Sequence, residues 1–198
     1  MKKADAFTLV RIVFAPIFFL LYFIPLWTGF FVRVSAYVLL PLLMCAEFTD
    51  FLDGFYARKE KDVSDFGKLF DPFADVFLHI TAFLCYAFSG YMPLWTLVLI
   101  MHRELGMLFL RLIAVKRGVT IGAKAGGKIK TVLYIASGMF SLALESAVRC
   151  GLAESFPLQT LRYAGFALYV LCVVFSYASF IDYVVSFKNV LKKAPEKS

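Results

Sequence analysis

Charge is scarce in this sequence. Of 198 residues, 21 are Lys or Arg and 14 are Asp or Glu, 18% together, where a soluble domain carries roughly 25%. So little charge, gathered into short clusters, cannot clothe one core in a solvated shell, which excludes an ordinary soluble domain. Cysteine is scarce too. Cys45, Cys85, Cys150 and Cys172 stand singly in or beside apolar segments with no CxxC spacing, which excludes a disulfide scaffold and a cysteine zinc site. There is no internal repeat, no low-complexity tract and no polar appendage beyond the terminal APEKS. No basic stripe with interleaved aromatics sits on a soluble module, so no nucleic-acid partner is expected despite a formal net charge of +7.

What is present is apolar: 61% of the residues are hydrophobic and the mean hydropathy is +0.78. A spanning helix needs about 20 apolar residues. Six candidate spans lie near residues 8–28, 33–57, 67–89, 93–115, 128–150 and 160–186, predicting an all-α polytopic membrane protein whose residues 1–198 form one membrane-embedded domain. The breaks fall at Thr28-Gly29, at KEKDVSD, at Ser89-Gly90 before Pro93, at KRGVTIGAKAGGK and at GLAESFP. Arg11 interrupts the first run and no small-residue cleavage site follows it, so that run is expected to be a helix and not a signal peptide. Its Thr8, Arg11 and Pro16 predict a start along the membrane surface, with Arg11 snorkelling to headgroups.

Basic residues alternate between loops. One side collects Lys2 and Lys3, then Arg58, Lys59, Lys61 and Lys68, then Lys116, Arg117, Lys124, Lys128 and Lys130, then Lys188, Lys192, Lys193 and Lys197. The other side holds Arg33, Arg149 and Arg162. That asymmetry places both termini in the cytosol.

Against this background four aspartates are conspicuous. On a helix, residues three, four and seven apart share a face, which puts Asp50, Asp53, Gly54 and Ala57 together. After the KEKDVSD loop, Gly67, Asp71 and Asp75 repeat at intervals of four and form a second stripe. An ionised carboxylate in hydrocarbon costs roughly 2.5–3.5 kcal/mol on insertion scales, and four together would repel one another. Cations are therefore expected. Hard oxygen ligands suit Mg2+ or Mn2+, and two facing stripes could hold a pair of ions, with Gly54, Ala57 and Gly67 leaving room for a bulky ligand. The bland alternative is that the aspartates cap helix ends and pair with Arg58, Lys59 and Lys68.

Asp50-x-x-Asp53-Gly54-x-x-Ala57-Arg58, eight residues, then Gly67-x-x-x-Asp71-x-x-x-Asp75 resembles the signature of the CDP-alcohol phosphatidyltransferases. The resemblance implies six transmembrane helices, a homodimer, and transfer of a phosphatidyl or related group from a CDP-linked donor to an alcohol with release of CMP. It further implies that Asp50, Asp53, Asp71 and Asp75 hold the metal pair, that Asp75 is the general base, and that Gly54, Ala57, Arg58 and Gly67 shape the pocket for the CDP-diacylglycerol headgroup.

The acceptor is sought among the remaining charges. The fourth span carries His102, Arg103, Glu104 and Arg111 in an apolar run, where charges are functional or paired. Glu104 and Arg111, seven apart, could form a structural ion pair, and His102 reads as a polar neighbour outside the site. The fifth span opens GGKIKT, with Lys128 and Lys130 at a helix start where free N–H groups and the helix dipole favour an anion. Arg103-Glu104-Leu105, Arg111 and Gly127-Lys128-x-Lys130-Thr131, with Thr8-Leu9-x-Arg11, resemble the pattern of the bacterial phosphatidylglycerophosphate synthases, a branch of that family. ADAFT here replaces their usual PNxLT. The implied acceptor is sn-glycerol 3-phosphate, its phosphate held by Arg103, Arg111, Lys128 and Lys130, at the cytoplasmic face of a bacterial inner membrane. Inositol phosphate, serine or phosphatidylglycerol are the alternative acceptors. A divalent-cation transporter is the rival of another class, since membrane carboxylates also mark ion paths.

Overall fold

A computed structural model describes the backbone of residues 3–60, 65–117, 125–155 and 157–193, and side chains over 8–48, 70–117, 127–155 and 157–188. Lipid offers the backbone no hydrogen-bond partners, so apolar runs of this length satisfy their peptide groups internally as helices. Six result: α1 (Lys3–Thr28), α2 (Val32–Glu60), α3 (Asp65–Phe88), α4 (Leu94–Lys116), α5 (Ala125–Arg149) and α6 (Leu158–Lys193). No strand occurs among the described residues.

The helix ends follow local chemistry. Gly29 adopts φ 73° between α1 and α2, Gly90 φ 75° between α3 and α4, and Gly151 φ 81° beyond α5, a region in which a Cβ would be strained. Pro93 then caps α4 in extended backbone, as suits a residue without an N–H at a helix start. α1 runs unbroken through Pro16. At 36 residues, α6 is about 54 Å long at 1.5 Å per residue, well beyond the roughly 30 Å of a hydrocarbon layer.

The helices close a ring. α1 packs on α2 and α3, α2 on α5, α5 on α6, α6 on α4 and α4 on α3, while α3 also meets α5 across the middle. The core lies along that crossing. Phe18 and Tyr22 of α1, Phe83 and Tyr86 of α3, Tyr134 of α5 and Tyr169 of α6 are all buried in it. The Phe83 ring stands edge-on to Tyr134 at 5.4 Å and to Tyr169 at 5.6 Å, an arrangement worth about 0.5–1.5 kcal/mol per pair beyond area burial. Gly138 of α5 lies against the Phe83 and Tyr86 rings of α3, where a Cβ would sit in ordinary contact at 3.7 Å.

Trp27, Phe30, Phe31, Leu94, Phe109 and Val132 point outward with most of their surface exposed, a pattern matched to a lipid surround. Four stretches, Thr8–Thr28, Phe70–Phe88, Gly127–Arg149 and Leu158–Lys188, are long and apolar enough to cross a membrane. α4 is long enough at 23 residues but carries Arg103, Glu104 and Arg111. Two of these, Arg103 and Glu104, are buried in the protein.

Candidate active site

α3 contributes the acids. Asp71 and Asp75 are one turn apart and share a face. α1 reaches them from the protein side: Thr8 Oγ1 donates to Asp71 Oδ1, Arg11 Nη1 donates to Asp75 Oδ1, and Arg11 Nη2 lies 3.9 Å from Asp71 Oδ1. Arg11 is 1% exposed. The snorkelling expected for it is therefore corrected. α1 packs on α3, so the guanidinium finds carboxylates within the protein and needs no headgroup. The sequence signal was the Thr8–Arg11 spacing of three, which places a hydroxyl and a cation on one face.

The basic residues surround a cavity of about 430 Å3 between α3, α4, α5 and α6, whose lining includes Asp75, Arg103, Glu104, Arg111, Lys128 and Lys130. All four cations proposed for an acceptor phosphate thus meet the proposed base in one hollow. They are held differently. Glu104 is a buried hub that accepts from Arg103 Nη1 at 2.9 and 3.0 Å, Lys130 Nζ at 2.8 Å and Tyr134 OH at 2.9 Å. Arg103 Nε donates to the Ser176 carbonyl at 2.9 Å, and Lys130 lies over the Tyr134 ring at 4.6 Å. Among the described residues Arg111 and Lys128 have no carboxylate partner. The alternative that paired Glu104 with Arg111 is corrected: its partners are the preceding residue and two side chains of α5.

At the start of α5, a Cβ on Gly127 would meet nothing within 4 Å. The glycine is not demanded by packing, and the backbone there is open to a ligand, as an anion site at a helix start requires. Behind Asp75 a smaller chamber of about 50 Å3 is lined by His79, Glu104, Lys130 and Tyr134. His79 Nδ1 lies 2.8 Å from the Asp75 carbonyl and its Nε2 lies 3.4 Å from Glu47 Oε1. Sequence reading passed over His79 and Glu47, although His79 stands one turn beyond Asp75. His102 is exposed, outside the cavity lining.

Asp50, Asp53, Gly54, Ala57 and Arg58 belong to the helical backbone of α2, and Gly67 to that of α3, but their side-chain surroundings lie outside the described residues. Among the described residues no group of three or more acidic, histidine or cysteine side chains could hold a metal ion. Asp71 and Asp75 present hard carboxylate oxygens on one face and remain 35% and 38% exposed, the donor type that suits a hard divalent ion.

A second buried network closes the opposite end. Arg149 Nε donates to Glu145 Oε1 at 2.8 Å, Nη1 to Ser35 Oγ at 2.7 Å and Nη2 to the Tyr22 carbonyl at 3.0 Å, with its guanidinium 4.5 Å from the Tyr22 ring centroid. Nearby, Arg162 stacks on Tyr91 at 5.0 Å, and burial pushes the Tyr91 phenol up to about 12, so it stays a neutral hydroxyl. Read from sequence as a loop charge, Arg149 is in fact a structural cation at the end of α5.

Residues 1–178 match the family model described as CDP-alcohol phosphatidyltransferase. A Treponema pallidum protein named CDP-diacylglycerol–glycerol-3-phosphate 3-phosphatidyltransferase is 37% identical over 202 residues, covering 98% of this chain and 92% of the relative. A Bacillus subtilis protein of the same name is 35% identical over 130 residues, 63% of this chain and 67% of the relative. One from Aquifex aeolicus, also of that name, is 25% identical over 196 residues, 98% of this chain and 100% of the relative.

Proposed function

The chain belongs to the CDP-alcohol phosphatidyltransferase family, and from that premise we propose that it transfers the phosphatidyl group of CDP-diacylglycerol to sn-glycerol 3-phosphate, giving phosphatidylglycerophosphate and CMP. The observation that carries the reading is the cavity in which Asp75 faces Arg103, Arg111, Lys128 and Lys130. Glycerol phosphate brings close to two negative charges, which this cationic wall would compensate; serine or inositol would need less.

In this mechanism Arg111, Lys128 and the open backbone at Gly127 bind the acceptor phosphate. Lys130 and Arg103, held in place by Glu104, line the inner wall. Asp75 takes the proton of the acceptor hydroxyl as its oxygen attacks the phosphorus bearing diacylglycerol. The bond from that phosphorus to CMP breaks, and CMP leaves with the electron pair. Gly54, Ala57, Arg58 and Gly67 shape the donor headgroup pocket. Asp50, Asp53, Asp71 and Asp75 would hold Mg2+ or Mn2+, which would supply neutralisation of the donor pyrophosphate and of the departing charge. Asp75 acts through its placement beside the acceptor hydroxyl.

All six helices cross the membrane in this reading, the buried pairing of Arg103 with Glu104 sparing α4 a charge in lipid. The diacylglycerol tails stay in the bilayer, the cavity opens to the cytoplasm, and two copies associate. A transport path would need polar exits at both ends, whereas Phe18, Phe83, Tyr86 and Tyr169 pack the middle of the ring.

The test supplies purified protein with CDP-diacylglycerol and equal concentrations of sn-glycerol 3-phosphate, serine, inositol phosphate and phosphatidylglycerol. Mass spectrometry should find phosphatidylglycerophosphate, with CMP released one for one. A different lipid would move the acceptor, and a lack of CMP would remove the transferase.

A further inference from the structure

Arg11 takes no part in the mechanism above, yet it reaches the acids from behind. Its own side chain is 1% exposed, while Asp71 and Asp75 stay 35% and 38% exposed. The Arg149–Glu145 pair at the other end, by contrast, buries both partners, at 2% and 7%. At α3 the cation is sealed into the protein and the anions are left partly open. The guanidinium holds the inner side of the carboxylates, whose side chains keep about a third of their surface exposed.

We infer that Arg11 is a positioning residue, a resident counter-charge that orients Asp75 and Asp71 in the metal-free protein and lowers their affinity for a divalent ion. The inference rests on the reading of these acids as metal ligands. Its physical basis is simple. A fixed positive charge beside a carboxylate stabilises the anion when no ion is present and repels an arriving dication. Thr8, which donates to Asp71 from the preceding turn of α1, adds direction without charge. Arg11 thus supports the acids without saturating them.

Mn2+ alone, titrated into the purified full-length protein in detergent and followed by electron paramagnetic resonance, tests this without reference to turnover. Arg11→Gln should bind Mn2+ about tenfold more tightly than wild type, whereas Arg11→Lys, which keeps the charge, should stay within about twofold. CMP release by Arg11→Gln at saturating Mn2+ should nevertheless fall about tenfold, because Asp75 loses its orienting partner. Tighter metal with slower turnover is not what a loosened fold produces. Should Arg11→Gln bind Mn2+ as wild type does or more weakly, or Arg11→Lys bind as tightly as Arg11→Gln, the counter-charge role is wrong while the metal reading stands. Should no variant bind Mn2+, both fall. If Arg11→Gln can be isolated only with Mn2+ present, the dependence supports the role and chelator competition gives its affinity; collapse with and without the ion assigns Arg11 to helix docking instead.

Discussion

The two ends of the helix ring bury similar chemistry to different effect. At the closed end Arg149 has Glu145, Ser35 and the Tyr22 carbonyl, all buried, and its three guanidinium nitrogens are each used once. At the open end Glu104 is as deeply buried and gathers Arg103, Lys130 and Tyr134, but those cations border a cavity shared with Arg111, Lys128 and Asp75. Both ends hold an arginine–glutamate pair, so the pair itself says nothing of function. The difference lies in charge left over. At the closed end the Arg149–Glu145 pair neutralises itself, and the open end keeps cations and the partly exposed Asp75 facing a hollow.

Removal of divalent ions should separate the ends most sharply. EDTA is expected to abolish CMP release, and restored Mg2+ or Mn2+ to recover it; activity indifferent to both would break the comparison at the open end. Next in size is Arg149→Met, which strands Glu145 in the interior and should cost about 3–5 kcal/mol. That loss would be read as a lower melting temperature, with turnover per folded molecule within about twofold of wild type. A variant that melts normally and loses turnover would make the closed end catalytic. Lys128→Ala should raise the KM for glycerol phosphate about tenfold and leave that for CDP-diacylglycerol within about twofold, since a hydrogen bond to a charged group is worth about 1.5–3 kcal/mol. A matching rise in both would take Lys128 out of the acceptor wall. Smallest is Gly106→Ala on the seam between the ends, where a Cβ would lie 3.2 Å from the Phe180 ring. Overpacking there should cost about 1 kcal/mol, seen as a lower melting temperature with unchanged KM values.

Much of this arrangement could be read from sequence because lipid leaves few options. Apolar runs had to be helices, and Gly29, Gly90 and Gly151 had to turn between them. Asp71 and Asp75 were legible as one stripe, since helical spacing alone puts them on one face. The grouping of Arg103, Arg111, Lys128 and Lys130 was implied by the family resemblance, and charge complementarity with an anionic acceptor agreed with it, but their division of labour was not legible. Whether Glu104 chooses Arg111 on its own helix or Lys130 on another depends on how α4 and α5 pack, which periodicity does not encode. Arg11 was misread for the same reason, because its carboxylate partners lie 60 and 64 residues away along the chain. Arg149 was counted as a loop charge although Glu145, one turn earlier, already signalled a pair. Asp50 and Asp53, the other half of the acidic set, lie beyond the described side chains.

The central claim is that Asp75 does the chemistry at the open end. Its most direct test is CMP release by Asp75→Asn at saturating CDP-diacylglycerol, glycerol phosphate and Mn2+, measured beside its melting temperature. CMP release should fall about a thousandfold, with a melting temperature nearer to wild type than that of Arg149→Met. Turnover within a few-fold of wild type would contradict it.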